Sequence, residues 1–348
     1  MNVAFLIGNG FDLQLGMETG YKSFLKWYVE QPTNDSDIAQ FREYLKNEKS
    51  EWWSDAEIAM GQYLGNFTDD NISVYFKNIR DFKLRLSEYL IYENERYDLE
   101  SNPEVIGSFI DFLLKSADDI MLRPTLLRLN ESRKRNNTQI HFITFNYTDA
   151  LDRIVMKVKE KDRTLQTIQT NSSVVYKTSV GNIYHVHGTL DSSLIMGVDN
   201  HEQLNGSNIS DFSKVSRTLI KPIVNDELGR DEHENATSML YDCQYLFFYG
   251  LSFGITDQTW WNLISERLIK NGNCQAVIFT RSSDNDIQTI IPEDILDYVN
   301  DKKDEFLKKL GIEPGSDHYD AVRKRVFVIR NTQRLNISIK DRKIPVNV

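Results

Sequence analysis

Cysteine is scarce in this sequence: Cys243 and Cys274 are the only two in 348 residues. Two are too few for a disulfide framework, and they lie 31 residues apart with no CxxC pair, which excludes a cysteine-rich zinc site. Both read as reduced, buried residues. Long apolar runs are missing as well. The opening MNVAFLIGNGFDL has no basic segment ahead of a short apolar run at 3–7, so it fits neither a signal peptide nor a membrane span. No later run reaches membrane length, and the expected location is the cytoplasm. Positive charge is also in deficit, with 41 Lys and Arg against 51 Asp and Glu and a net charge of -10. Phosphate backbones attract basic surfaces, so nucleic acid is an unlikely main partner, whereas a local cleft for a small dinucleotide remains compatible. There is no clustered Asp/Glu metal set of the kind a nuclease needs, no internal repeat and no low-complexity tract.

What is present is globular. Hydrophobic residues make up 40% and charged residues 26%, enough for a sizeable core in one large domain or two ordinary ones. Residues 3–7 read as a buried strand ending in a Gly8-Asn9-Gly10 turn. From 19 to 135 apolar residues recur at helical spacing, as in Tyr21, Phe24, Leu25 and Tyr28, then Phe76, Ile79, Phe82, Leu86 and Leu90, then Phe109, Phe112, Leu113 and Leu127. Roughly five helices are expected there. Trp52-Trp53 and the aromatic residues around them read mostly as core. Strand texture returns at 140–145, 174–176, 183–186, 245–249, 276–279 and 326–329, with helices at 149–159 and 256–270. Strands alternating with helices predict an α/β protein with a layered parallel sheet and a large helical insertion after the first strand. The domains expected are 1–18 with 136–330 as a nucleotide-binding unit, 19–135 as a helical insertion or cap, and 331–348 as a tail. Residues 200–235 are polar and show few clear elements.

Four strand ends carry candidate chemistry. Gly8-Asn9-Gly10-Phe11-Asp12 follows the first strand; its glycines suit close approach to a phosphate or simply a tight strand-to-helix turn. Leu13 stands where a dinucleotide fingerprint has its third glycine, and no P-loop lysine is present. Asp12 caps the next helix or binds a ribose hydroxyl. In Thr144-Phe145-Asn146-Tyr147-Thr148-Asp149 the expected division is Asn146 toward a ligand and Thr148 as helix cap. His185-Val186-His187-Gly188-Thr189 places two histidines on one face of an extended strand. They read as a hydrogen-bonded structural pair, or as a catalytic base with a glycine clearing space beside it; no nearby carboxylate or cysteine completes a metal set. Gly250-Leu251-Ser252-Phe253-Gly254 fits a second nucleotide-facing turn, and Asp257 suits a helix start.

Taken in order, LIGNGFDLQLG, FNYTDALD, HVHGTL and FFYGLSFGITD resemble the AbiH family of phage abortive-infection proteins. Their order and spacing are also similar to the sirtuin-like superfamily of NAD-consuming enzymes, which implies a Rossmann-like (sirtuin-like) fold. The resemblance covers the strand ends between 3 and 260. It implies that Gly8 and Gly10, with Asn9 and Asp12, form the phosphate loop. It implies that Asn146 orients the nicotinamide ribose and a water, with Thr148 and Asp149 beside it. His187 becomes the catalytic general base, followed by Gly188, with His185 as support. Gly250 and Ser252 hold the adenosine half, near Asp257. Two departures stand out: Phe11-Asp12 replaces the Ile-Ser of deacylases, and Thr148 replaces their acidic residue. The zinc quartet of those deacylases is absent, so protein deacylation is not expected.

The implied activity is NAD glycohydrolysis, with NAD as substrate and no resident cofactor or metal. ADP-ribosyl transfer is an alternative that uses the same residues. A non-catalytic nucleotide sensor, with the helical block as effector, is the alternative from another class. The helical block caps the pocket, forms a homo-oligomer interface or senses a phage-derived trigger.

Overall fold

The computed structural model describes residues 1–47, 55–99, 102–115, 118, 131–132, 135–169, 173–281, 291–330 and 335. Trp52, Trp53, Leu127 and all but Leu335 of the tail lie outside the described residues.

Seven strands form one sheet: β1 (Asn2–Ile7), β2 (Thr138–Thr144), β3 (Thr164–Gln169), β4 (Val175–His185), β5 (Tyr245–Tyr249), β6 (Gln275–Thr280) and β7 (Val326–Arg330). Their order is β3-β4-β2-β1-β5-β6-β7. β1 lies between β2 and β5 and pairs parallel with both. That central place explains why Val3 to Ile7 are all apolar and all buried. Odd and even positions face opposite layers. Val3, Phe5 and Ile7 pack with Phe109 and Phe112 of the helix Pro103–Lys115 and with Ile154 of the helix Ala150–Lys161. Ala4 and Leu6 share the other face with Leu240, Trp261 and Phe306, carried by the helices Asp231–Asp242, Gln258–Lys270 and Pro292–Lys309.

The sheet is mixed where a parallel one was expected. β3 runs antiparallel to β4 at the edge, while the other pairs are parallel. β3 reads TLQTIQ, a half-exposed edge strand with too little apolar alternation to announce itself. The two strands expected at 174–176 and 183–186 are one strand, β4, with a register shift opposite Ile140–Phe142. The polar stretch 200–235 is also different: it holds the helices Ser213–Leu219 and Lys221–Glu227 and the start of Asp231–Asp242. The first two are seven residues each, about two turns, too short for a helical period to stand out.

The helical block has its own core. Phe24, Tyr28, Tyr75 and Phe82 pack around the long helix Ile72–Glu95, joined by Met196, Val215 and Leu219 from beyond β4. The segment around 196–219 thus packs with the block, whereas Pro103–Lys115, within 19–135, packs on the sheet. No described helix is long and apolar enough to cross a membrane.

Candidate active site

After β1 the chain goes to β2 on one side, and it later returns to β5 on the other. β1 is therefore where the strand order reverses, and the crevice beyond its carboxyl end is the place for a ligand. A cavity of about 770 Å³ lies there. Among its lining residues are Gly8, Asn9, Gly10, Asp12, Asn146, Thr148, His187, Gly250, Ser252 and Asp257, so ten of the thirteen residues singled out by sequence meet in one place.

The floor of the cavity is made by backbone contact. Gly8 N–H donates to the Tyr249 carbonyl and Gly10 N–H to the Gly250 carbonyl, both at 2.9 Å. A Cβ on Gly10 would lie 2.5 Å from Gly250 Cα, and Gly250 itself has φ +69. These glycines let the loops after β1 and β5 touch, and the two N–H groups are already used in doing so.

Asp12 joins the first two motifs. It is 1% exposed, accepts from Asn146 Nδ2 at 2.8 Å on Oδ1 and from the Thr148 hydroxyl at 2.7 Å on Oδ2. Burial pushes its pKa up to about 7, against the pull of those two hydrogen bonds. Thr148 therefore does not cap the helix Ala150–Lys161; Asp149 occupies the cap position without a side-chain cap bond. Asn146 is 5% exposed, and its Oδ1 is buried with no hydrogen-bond partner. A buried carbonyl oxygen left unpaired is costly, and here it belongs to a residue that lines the cavity.

The opposite side of the cavity is charged. His187 Nε2 lies 2.8 Å from Asp257 Oδ1, and Lys221 Nζ lies 2.7 Å from the same oxygen. Lys221 also contacts Glu57 Oε2 at 2.9 Å. Glu57 Oε1 accepts from the Tyr147 hydroxyl and from Gly197 N–H, both at 3.3 Å. Burial alone would raise the Asp257 pKa, but Lys221 and His187 outweigh it and hold the carboxyl well below the usual range. Burial alone would likewise lower the Lys221 pKa, and Asp257 and Glu57 reverse that. The His187 ring is held by Phe145, edge-on at 5.4 Å, which in turn stacks on Trp261 at 5.4 Å.

Asp149, His185 and Gly188 do not line this cavity. Asp149 accepts from Asn94 Nδ2 at 2.7 Å. His185 pairs with Asp152, Nε2 to Oδ2 at 2.8 Å, away from His187. The expectation that the two histidines share a face fails because β4 ends at His185 and strand alternation ends with it. Gly188 has φ +77, and a Cβ there would lie 1.7 Å from the Ser193 carbonyl, so it turns the chain.

Several lining residues are not among the candidates the sequence offers for the site. Tyr21, Asp55 and Glu57 come from the helical block, Tyr147 from the second motif and Arg281 from the end of β6. Asp55 N-caps the helix Ala56–Tyr63, accepting from Glu57 N–H and Ile58 N–H at 3.1 Å, a pattern that marks a helix start but no cavity. Lys221 sits in the polar stretch and is recognisable only once its two carboxylates are in place. No group of three or more His, Cys, Asp or Glu among the described residues is arranged to hold a metal ion.

A family model described as "Bacteriophage abortive infection AbiH" matches residues 4–280. The chain belongs to the AbiH family. The match takes in all four strand-end motifs and the helical block, and it ends where β6 ends. Membership places the chain among bacteriophage abortive-infection proteins. No curated protein matches the chain.

Proposed function

We propose that this AbiH protein is an NAD glycohydrolase that breaks the nicotinamide–ribose bond. The observation that carries the reading is the unpaired Asn146 Oδ1 in a cavity also lined by His187. An acceptor buried this deeply calls for a donor from a ligand, and a ribose hydroxyl or an attacking water supplies one. With Nε2 directed at Asp257, neutral His187 keeps its lone pair on Nδ1, the nitrogen left to take a proton.

Reaction at the ribose C1′ forms a bond to water oxygen as the C1′–N bond breaks. The electron pair goes to the pyridinium nitrogen, so nicotinamide leaves neutral and needs no acid. The water proton passes to His187. Positive charge develops on the ribose, and Asp55, Glu57 and Asp257 line the cavity where fixed negative charge favours it. The size of the cavity supports a dinucleotide. His187 follows β4 and Arg281 follows β6, four strand steps apart in the sheet order, or roughly 19 Å. Arg281 is the only Lys or Arg among the described lining residues and suits the phosphate end.

Purified protein incubated with NAD is expected to release nicotinamide and free ADP-ribose in equal amounts, and His187→Ala to abolish release without loss of folding. Intact NAD with the wild type, or full turnover by a folded His187→Ala variant, would overturn the assignment. ADP-ribose found attached to a macromolecule would redirect it to transfer.

A further inference from the structure

We infer that Asp12 is the positioning residue for Asn146: its carboxylate fixes which end of the Asn146 amide faces the ligand. The inference rests on the glycohydrolase reading for its kinetic consequence, and on the structure alone for the contact itself.

An asparagine amide has a donor end and an acceptor end, and rotation by half a turn exchanges them. The two ends present opposite chemistry to a ligand, so the site needs one orientation. Asp12 selects it. Both Asp12 oxygens accept hydrogen bonds here, so the Asn146 NH2 group faces the carboxyl and Oδ1 faces elsewhere. Asp12 Oδ1 takes the Asn146 Nδ2 bond at 2.8 Å, and Asp12 Oδ2 is occupied by Thr148 at 2.7 Å. The Thr148 bond fixes the carboxylate plane, and the Thr144 hydroxyl accepts from Asn146 N–H at 3.2 Å, which holds the backbone beneath. The side chain is thus restrained at its root and at its donor end, and only Oδ1 is left without a partner.

A positioning residue acts through its partner, which separates it from a residue that merely supports the fold. The test uses the full chain in four forms: wild type, Asp12→Leu, Asn146→Ala and the double variant. Leucine fills the volume and leaves no buried charge. Asp12→Leu is expected to lower kcat for NAD about thirtyfold or more with KM changed less than threefold, and the double variant to be no slower than Asn146→Ala alone. Additive losses in the double variant, or unchanged kcat in Asp12→Leu, would overturn the inference. A second readout needs no turnover. In the wild type the Asn146 side-chain NH2 resonance, assigned by its loss in Asn146→Ala, is expected to be shifted downfield and protected from exchange with water. Asp12→Leu is expected to lose both features. The same shift and protection in Asp12→Leu would overturn the inference even if the wild type never releases nicotinamide, an outcome that by itself counts against the glycohydrolase reading and not against this contact.

Discussion

The floor of the cavity and its charged wall are held by different forces. The floor consists of backbone against backbone, Gly8 and Gly10 on Gly250, at distances that admit no side chain. The wall consists of buried side chains from distant segments, Glu57, Asp257 and His187, tied together by Lys221, which pairs with Glu57 and Asp257, and by the His187–Asp257 contact. The first arrangement is sensitive to volume and indifferent to charge; the second is the reverse. Each can be broken by a change the other would tolerate.

The largest effect is expected on the floor. Gly10→Ala places a methyl 2.5 Å from Gly250 Cα, where only backbone can give way. A loss above about 4 kcal/mol is expected in denaturant unfolding, or no soluble protein at all. Lys221→Met comes next. It keeps the volume but strands the Glu57 and Asp257 carboxylates in a buried site, with an expected cost of about 3–5 kcal/mol. Adding Glu57→Gln to Lys221→Met removes one stranded charge and should restore part of that loss. A double variant less stable than Lys221→Met would break the contrast between wall and floor.

Asp12 sharpens the comparison, since it is a charged group placed between the two. Its folded pKa of about 7 stands above its unfolded value near 3.8. Between those values the native state holds the extra proton, so this group makes stability fall as pH rises from about 4 to 7. Asp12→Asn should remove that slope. The variant should match the wild type near pH 4 and exceed it at pH 8 by on the order of 3 kcal/mol. Equal pH dependence of the two melting curves would count against a desolvated Asp12. The smallest effect is expected at Arg281, exposed at the rim. Arg281→Ala should raise KM for NAD about threefold to tenfold, leaving kcat and stability unchanged in steady-state and melting measurements.

The floor was legible in the sequence and most of the wall was not. Gly8, Asn146, His187 and Gly250 each follow an apolar run, and the rule that ligands sit beyond the carboxyl ends of strands brings them together without any long-range information. His185 lies outside the cavity, because β4 ends at that residue and alternation alone does not fix where a strand ends. The sequence points to Asp12 as helix cap or ribose ligand and to Thr148 as helix cap, whereas the two bond to each other across 136 positions. Glu57 and Lys221 are 164 positions apart, and neither sits in a motif. Their meaning lies in a pairing that depends on how the helical block meets the sheet, which no local pattern encodes. The seven-residue helices around Lys221 compound this, since two turns give too few apolar positions for a period to show.

The most direct test of NAD cleavage in its setting is the NAD content of phage-infected cells carrying either the intact gene or its His187→Ala form at equal protein level. NAD cleavage by this protein predicts that NAD falls during infection only with the intact gene, and that nicotinamide and ADP-ribose rise as it falls. NAD that stays constant with both forms, or falls equally with both, would contradict it.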